Sequence, residues 1–119
     1  MTVSKLNCMH LISMKFPDFH GDSSLFRGMN EFSDYAIEQL VQRPSNSANI
    51  EEIFQYIEFL MVSGDEDVQT AAATCFLENI LNVTASQIDP KFFLPYLGPQ
   101  SKEYCRAWDS FTGVQTEGL

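Results

Sequence analysis

The clearest periodic segment runs from residue 50 to residue 63. Ile50, Ile53, Phe54, Ile57, Leu60 and Met61 recur at helical spacing, while Glu51, Glu52, Gln55 and Glu58 fall away from that stripe. The spacing predicts an amphipathic helix, capped at its start by Asn49 and ended at Ser63-Gly64 with Gly64 in a left-handed terminal position. Asp65, Glu66 and Asp67 then open a second helix over about residues 66–82, three carboxylates in a first turn being favourable against the helix dipole. Val68, Ala71, Ala72, Ala73, Cys75, Phe76, Leu77, Ile80 and Leu81 cover most of its circumference. A helix apolar nearly all round is the central one of its domain, and its Ala residues let a neighbour approach closely.

Weaker patterns flank this pair. Residues 4–16 place Leu6, Met9, Leu11, Ile12 and Phe16 near a 3.6 period until Pro17 stops them, and residues 17–22 form a turn by composition. Asp22 or Ser23 caps a short helical turn over Leu25 and Phe26 that Gly28 weakens. Asn30 or Ser33 leads into a helix to about Arg43, with Phe32, Tyr35, Ala36, Leu40 and Val41 on its apolar side and Ile37 at the border. Residues 44–49 read as a polar loop. Asp89-Pro90 starts a short or kinked piece carrying Phe92, Phe93, Tyr96 and Leu97, and residues 99–111 form a last helix with Tyr104, Cys105, Trp108 and Phe111. Residues 112–119 are expected to fray. No segment alternates as a strand does, so the expected class is all-α: five or six helices in stacked antiparallel hairpins, in a single domain of residues 1–119.

Charge changes this picture from a fold to a surface. The chain has 7 Lys and Arg against 16 Asp and Glu, a net charge of −9. The excess is concentrated: residues 28–90 hold eleven acids and one base, Arg43, while both ends are nearly neutral. Glu31, Asp34 and Glu38 share one face of their helix, and Glu51, Glu52, Glu58, Asp65, Glu66 and Asp67 add to it, predicting a continuous negative field over the middle of the protein. Phosphates would be repelled, which excludes a sequence-independent grip on nucleic acid. A basic protein partner is favoured, and close self-association through the acidic side is disfavoured, so a monomer is expected.

Candidate chemistry is sparse. His20 lies between Asp18 and Asp22 and next to Ser23, but any loop with these residues permits a Ser/His/Asp arrangement on paper, and His10 sits inside the first helix. Asp65-x-Asp67 lacks the Gly turn and terminal Glu of a calcium loop and reads as a helix start. Cys8, Cys75 and Cys105 are odd in number and widely spaced, which fits three buried thiols in a reducing compartment rather than disulfides or a zinc site. The apolar runs are too short to span a membrane, and the N-terminal residues lack a signal-peptide pattern. The expectation is therefore a cytoplasmic binding protein with no enzymatic activity, no metal, no cofactor and no membrane attachment.

Two resemblances sharpen the partner. The stretch GDEDVQTAAATCFLENIL is similar to the inner half of HEAT-type repeats, in which an acidic turn precedes Val and paired Ala, as a single unit at the centre of the chain. The order FSDYAIEQL … IEFLMVSGDEDVQTAAATCFLENILN … FLPYLGPQSKEYCRAWDSFTG, over about residues 32–113, resembles small helical bacterial immunity proteins that accompany polymorphic toxins and contact-dependent growth-inhibition systems. That resemblance implies tight binding and neutralisation of a cognate toxin domain by occlusion, without catalysis. The charge makes a basic, nuclease-type toxin the natural target. The alternative is a helical adaptor or regulatory module with another basic partner.

Overall fold

The computed structural model describes residues 2–42, 46–84 and 88–119. Among these residues six α-helices appear in order: α1 (Cys8–Lys15), α2 (Leu25–Val41), α3 (Ser47–Ser63), α4 (Glu66–Ala71), α5 (Glu78–Thr84) and α6 (Pro99–Thr112). Helices α4 and α5 form one run, joined by a π-helical segment, Ala72–Leu77. Two 3-10 turns, Pro90–Phe92 and Leu94–Tyr96, precede α6. Among the described residues there is no β-strand, only an isolated parallel bridge between Val3 and Gly64. The fold is all-α.

The core is threaded by a chain of aromatic rings. Phe16 meets Phe32 of α2 at 5.3 Å between centroids, and Phe32 meets Phe76 of the π-helical segment at 5.5 Å. Phe76 meets Phe54 of α3 at 5.6 Å, and Phe54 stacks on Phe93 at 5.4 Å. Each fully buried Phe contributes about 1.5–3 kcal/mol, and each ring pair about 0.5–1.5 kcal/mol more. Phe76 sits between α2 and α3, so the apolar helix is the central one, with Ala71, Ala72 and Ala73 buried beside it. Two polar side chains serve carbonyls around its widened turn: the Thr74 hydroxyl donates to Thr70 O at 2.8 Å and Asn79 Nδ2 to Cys75 O at 2.8 Å.

Several local expectations are corrected by long-range contacts. The first helix begins at Cys8 rather than residue 4, because Val3 is held extended between Ser63 O and the Asp65 N–H and Asn7 closes the turn by accepting from the Ser4 N–H. Leu6 is consequently 90% exposed. The short turn over Leu25 and Phe26 and the helix expected to follow Asn30 or Ser33 are one element, and α2 runs unbroken from Leu25. A Cβ on Gly28 would lie 2.5 Å from Asp22 O and 2.6 Å from Met9 Cε, so the glycine permits α1 and the preceding turn to close on α2. Val41 is exposed, unlike Leu40 beside it.

Asn49 does not cap α3, which starts at Ser47; its amide instead ties α3 to α2, donating to Tyr35 Oη and Gln39 Oε1 at 3.0 Å each. Gly64 is extended (φ −77°, ψ 154°), not left-handed, because it bridges to Val3. In the tail, Asp109 accepts from the Thr116 N–H at 2.6 Å and hydroxyl at 3.0 Å, and Arg106 Nε donates to Leu119 O. The expected loop at 44–49 and the position of Arg43 fall partly or wholly on residues 43–45, outside the described residues.

Candidate functional site

Helix α2 carries Glu31, Asp34 and Glu38 on one side, and the turn after α1 folds back across them. Asp18, Phe19, His20, Glu31, Asp34, Tyr35 and Glu38 line an open groove of about 410 Å³. Its apolar wall is fixed by ring contacts, Phe19 against Tyr35 at 5.4 Å and against Phe32 at 5.1 Å. Glu31 partly belongs to the scaffold, since its Oε1 accepts the Asp22 N–H at 2.6 Å and holds the turn in place. Asp34 and Glu38 are exposed. Asp18, not singled out for the acidic surface from sequence, joins the groove through the fold of the turn.

A second depression lies between the end of α1 and α3. Lys15, Glu52, Gln55, Tyr56 and Phe59 line a shallow shelf of about 340 Å³. Phe16 packs edge-on against Tyr56 at 5.8 Å, and Tyr56 against Phe59 at 5.4 Å. The groove is lined by no α3 residue, but α3 reaches its edge. Asn49 reaches Tyr35 of the groove, and Glu52, Tyr56 and Phe59 follow at three- and four-residue steps along the same helix side.

The remaining acids divide by role. Glu51 and Glu52 are exposed, with Gln55 Nε2 3.3 Å from Glu51 Oε1. Glu58 turns onto α6, where it accepts from the backbone N–H groups of Gln100 and Ser101 and from the Ser101 hydroxyl. Asp65 caps α4 through the Val68 N–H at 2.9 Å and also accepts the Lys5 N–H at 3.1 Å. Glu66 and Asp67 are exposed, and Asp67 faces Lys5 at 3.7 Å, a solvated pair of little energetic weight. Asp67 lines a groove with Ser23 and Phe26 near the start of α2, roughly 20 Å along that helix from Glu38 at 1.5 Å per residue. The nine predicted residues therefore divide into Glu31, Asp34 and Glu38 in the groove, Glu52 on the shelf, Glu51 exposed beside Gln55, a separate pair of Glu66 and Asp67, and two internal ties, Glu58 and Asp65.

Among the described residues, no Lys or Arg makes an ion pair with Glu31, Asp34, Glu38, Glu51 or Glu52; the ion pairs formed are Lys5–Asp67, Arg27–Asp22 and Lys91–Asp89. His20 lies exposed at the groove, but Ser23 lines a different depression. Asp22 is occupied by the hydroxyl and N–H of Ser24, which hold its carboxyl below the usual carboxylate range, with Arg27 adding to the effect. The three residues make no hydrogen bond with one another. No group of three or more His, Cys, Asp or Glu among the described residues could hold a metal ion.

Cys8 and Cys105 are buried, and burial pushes their thiols up to about 11 and about 12; Cys75 is half-buried, and all three are free. The Tyr104 hydroxyl, donating to Glu78, is raised well above its ordinary value by burial first and by that carboxylate second. No described helix is long and apolar enough to cross a membrane.

No curated protein and no solved structure matches this chain. A family model described as a domain of unknown function, DUF7674, matches residues 9–113, a span that holds all but the first residue of α1, the other five helices and both depressions. The chain therefore belongs to the DUF7674 family.

Proposed function

We propose that this domain is a protein-binding module of the immunity type, which neutralises a basic toxin domain by laying its acidic α2–α3 surface over the toxin's working face. The observation that carries the reading is the groove of Asp18, Glu31, Asp34 and Glu38, in which carboxylates converge without a described cation to pair with. Interspersed signs would serve solubility; a one-sign surface costs self-repulsion and suits steering toward an opposite charge. A Lys or Arg brought within about 4 Å of one carboxylate gains ~1 kcal/mol in water and ~4 kcal/mol where the interface lowers the effective dielectric constant to about 20. Contact with a basic cleft that otherwise grips phosphates would thus be fast and salt-sensitive, with packed side chains setting the dissociation rate.

The test is co-expression with each toxin domain encoded beside this gene, scoring growth rescue and co-purification. Rescue by one of them, with complex formation weakened by salt, supports the reading. Failure of every neighbouring toxin to be rescued or to co-purify removes it.

A further inference from the structure

We infer that the α3 shelf is the apolar anchor site for the same partner, and that the segment bound there is amphipathic and basic: a leucine-like or aromatic side chain against Phe59 and Tyr56, flanked by Arg or Lys reaching Glu52 and the α2 groove. The inference rests on the acidic-surface reading and adds to it the apolar half of the recognition. Phe59 is 39% exposed although it is aromatic, and its ring is braced from behind by Tyr56, which is braced in turn by Phe16. A braced, exposed ring loses little freedom when covered, as an interface anchor requires.

Charge complementarity selects the occupant. The shelf is bordered by Glu52, and the Asn49–Tyr35 contact carries the same α3 row to the groove of Asp34 and Glu38. On the shelf itself Lys15 balances Glu52, so the negative charge that selects a basic flank comes from the adjoining groove of Asp18, Glu31, Asp34 and Glu38. An acidic or purely apolar segment would leave the groove carboxylates uncompensated. A second copy of this chain, at −9, would bring like charges together.

Two basic synthetic peptides test this, with an acid-and-leucine peptide as the control. One is an amphipathic helix of arginine and leucine; the other has the same charge with serine in place of each leucine. Backbone amide shifts of the intact domain report where each binds, and calorimetry reports how tightly. The amphipathic peptide is expected to bind about tenfold more tightly and to move the signals of Glu52, Gln55, Tyr56 and Phe59 as well as those of the groove. The serine peptide is expected to move the groove signals alone. Phe59→Ala is expected to bring the amphipathic peptide to the level of the serine peptide, and the wild-type shift map decides the matter even where that variant is destabilised.

Equal affinities, or shifts that miss α3, overturn the anchor site while leaving the acidic surface standing. Failure of both peptides to bind at low salt overturns the acidic surface, and the anchor site with it. Tighter binding of an acid-and-leucine peptide overturns the choice of a basic segment. A concentration-dependent dimer that Phe59→Ala dissolves in sedimentation places a second copy on the shelf and likewise overturns the inference.

Discussion

Glu58 of α3 caps α6 across the helix interface: its Oε1 accepts from the Ser101 N–H at 2.8 Å and from the Ser101 hydroxyl at 2.9 Å. Its other oxygen accepts from the Gln100 N–H at 3.1 Å, so a side chain far away in sequence satisfies two N–H groups that the first turn of α6 leaves open. Gly98 makes room for this, since a Cβ there would lie 2.2 Å from Glu58 Cγ. Replacing Glu58 by Ala leaves the buried Ser101 hydroxyl without this acceptor and the first turn of α6 without its cap. The expected loss of stability is about 1–3 kcal/mol in chemical denaturation, with a smaller loss for Glu58→Gln, which keeps one acceptor oxygen. An unchanged denaturation midpoint in Glu58→Ala would show that the cap contributes nothing.

Gly28→Ala sets two effects against each other. Helix propensity favours Ala in a helix interior by about 1 kcal/mol. The added Cβ, however, meets the Asp22 carbonyl oxygen at 2.5 Å and Met9 at 2.6 Å. Overpacking of this kind costs roughly 1–3 kcal/mol, and a backbone oxygen cannot swing aside as a side chain can. The expected outcome is net destabilisation, read as a lower thermal midpoint. A higher midpoint would mean that the turn relaxes freely.

The three cysteines should separate by reactivity. Cys75 is half-buried, whereas Cys8 and Cys105 are buried and their thiols are raised by burial. A maleimide added to the folded protein near neutral pH is expected to label Cys75 first, and all three after denaturation, as counted by mass spectrometry. Labelling of Cys8 as fast as Cys75 in the folded state would contradict the packing of α1.

The same shifts fix an alkaline limit to stability. A thiol whose folded value is raised is kept neutral by the fold, so its contribution is intact below the unfolded value of 9.0. The contribution falls as pH rises from there through about 11 for Cys8 and about 12 for Cys105. Denaturation midpoints should decline over that range, and Cys8→Ala should flatten the first part of the decline.

Sequence periodicity is informative where neighbours three and four residues apart decide the outcome. The stripe of Ile50, Ile53, Phe54, Ile57 and Leu60 is buried as its spacing requires, and so are Phe76, Leu77 and Ile80 of the apolar run. Periodicity fails where a distant segment decides. Leu6 fits the first apolar pattern but is exposed, because Val3 is pinned by Ser63 and Asp65 about sixty residues away. Glu58 fits the outer face of α3 yet turns toward α6, whose position no local spacing encodes. Asp18 lies in a nearly neutral N-terminal stretch and joins the acidic groove only because Phe19 packs on Phe32 and Tyr35. The signal that could have marked it is the alternation of acid and aromatic in Asp18-Phe19, set opposite Asp34-Tyr35.

These distinctions decide which acids can test the surface. Reversing Glu58 or Asp65 would damage a helix cap and confuse instability with lost binding. Asp34, Glu38 and Glu52 are exposed, lie along the groove and shelf, and hold no helix end. The most direct measurement is growth rescue of cells making any toxin domain found encoded beside this gene, comparing the wild-type protein with an Asp34→Lys, Glu38→Lys, Glu52→Lys variant of confirmed thermal stability. The account predicts rescue by the wild-type protein and its loss in the folded variant. Undiminished rescue by the variant, or no rescue by the wild-type protein with any neighbouring toxin, would contradict it.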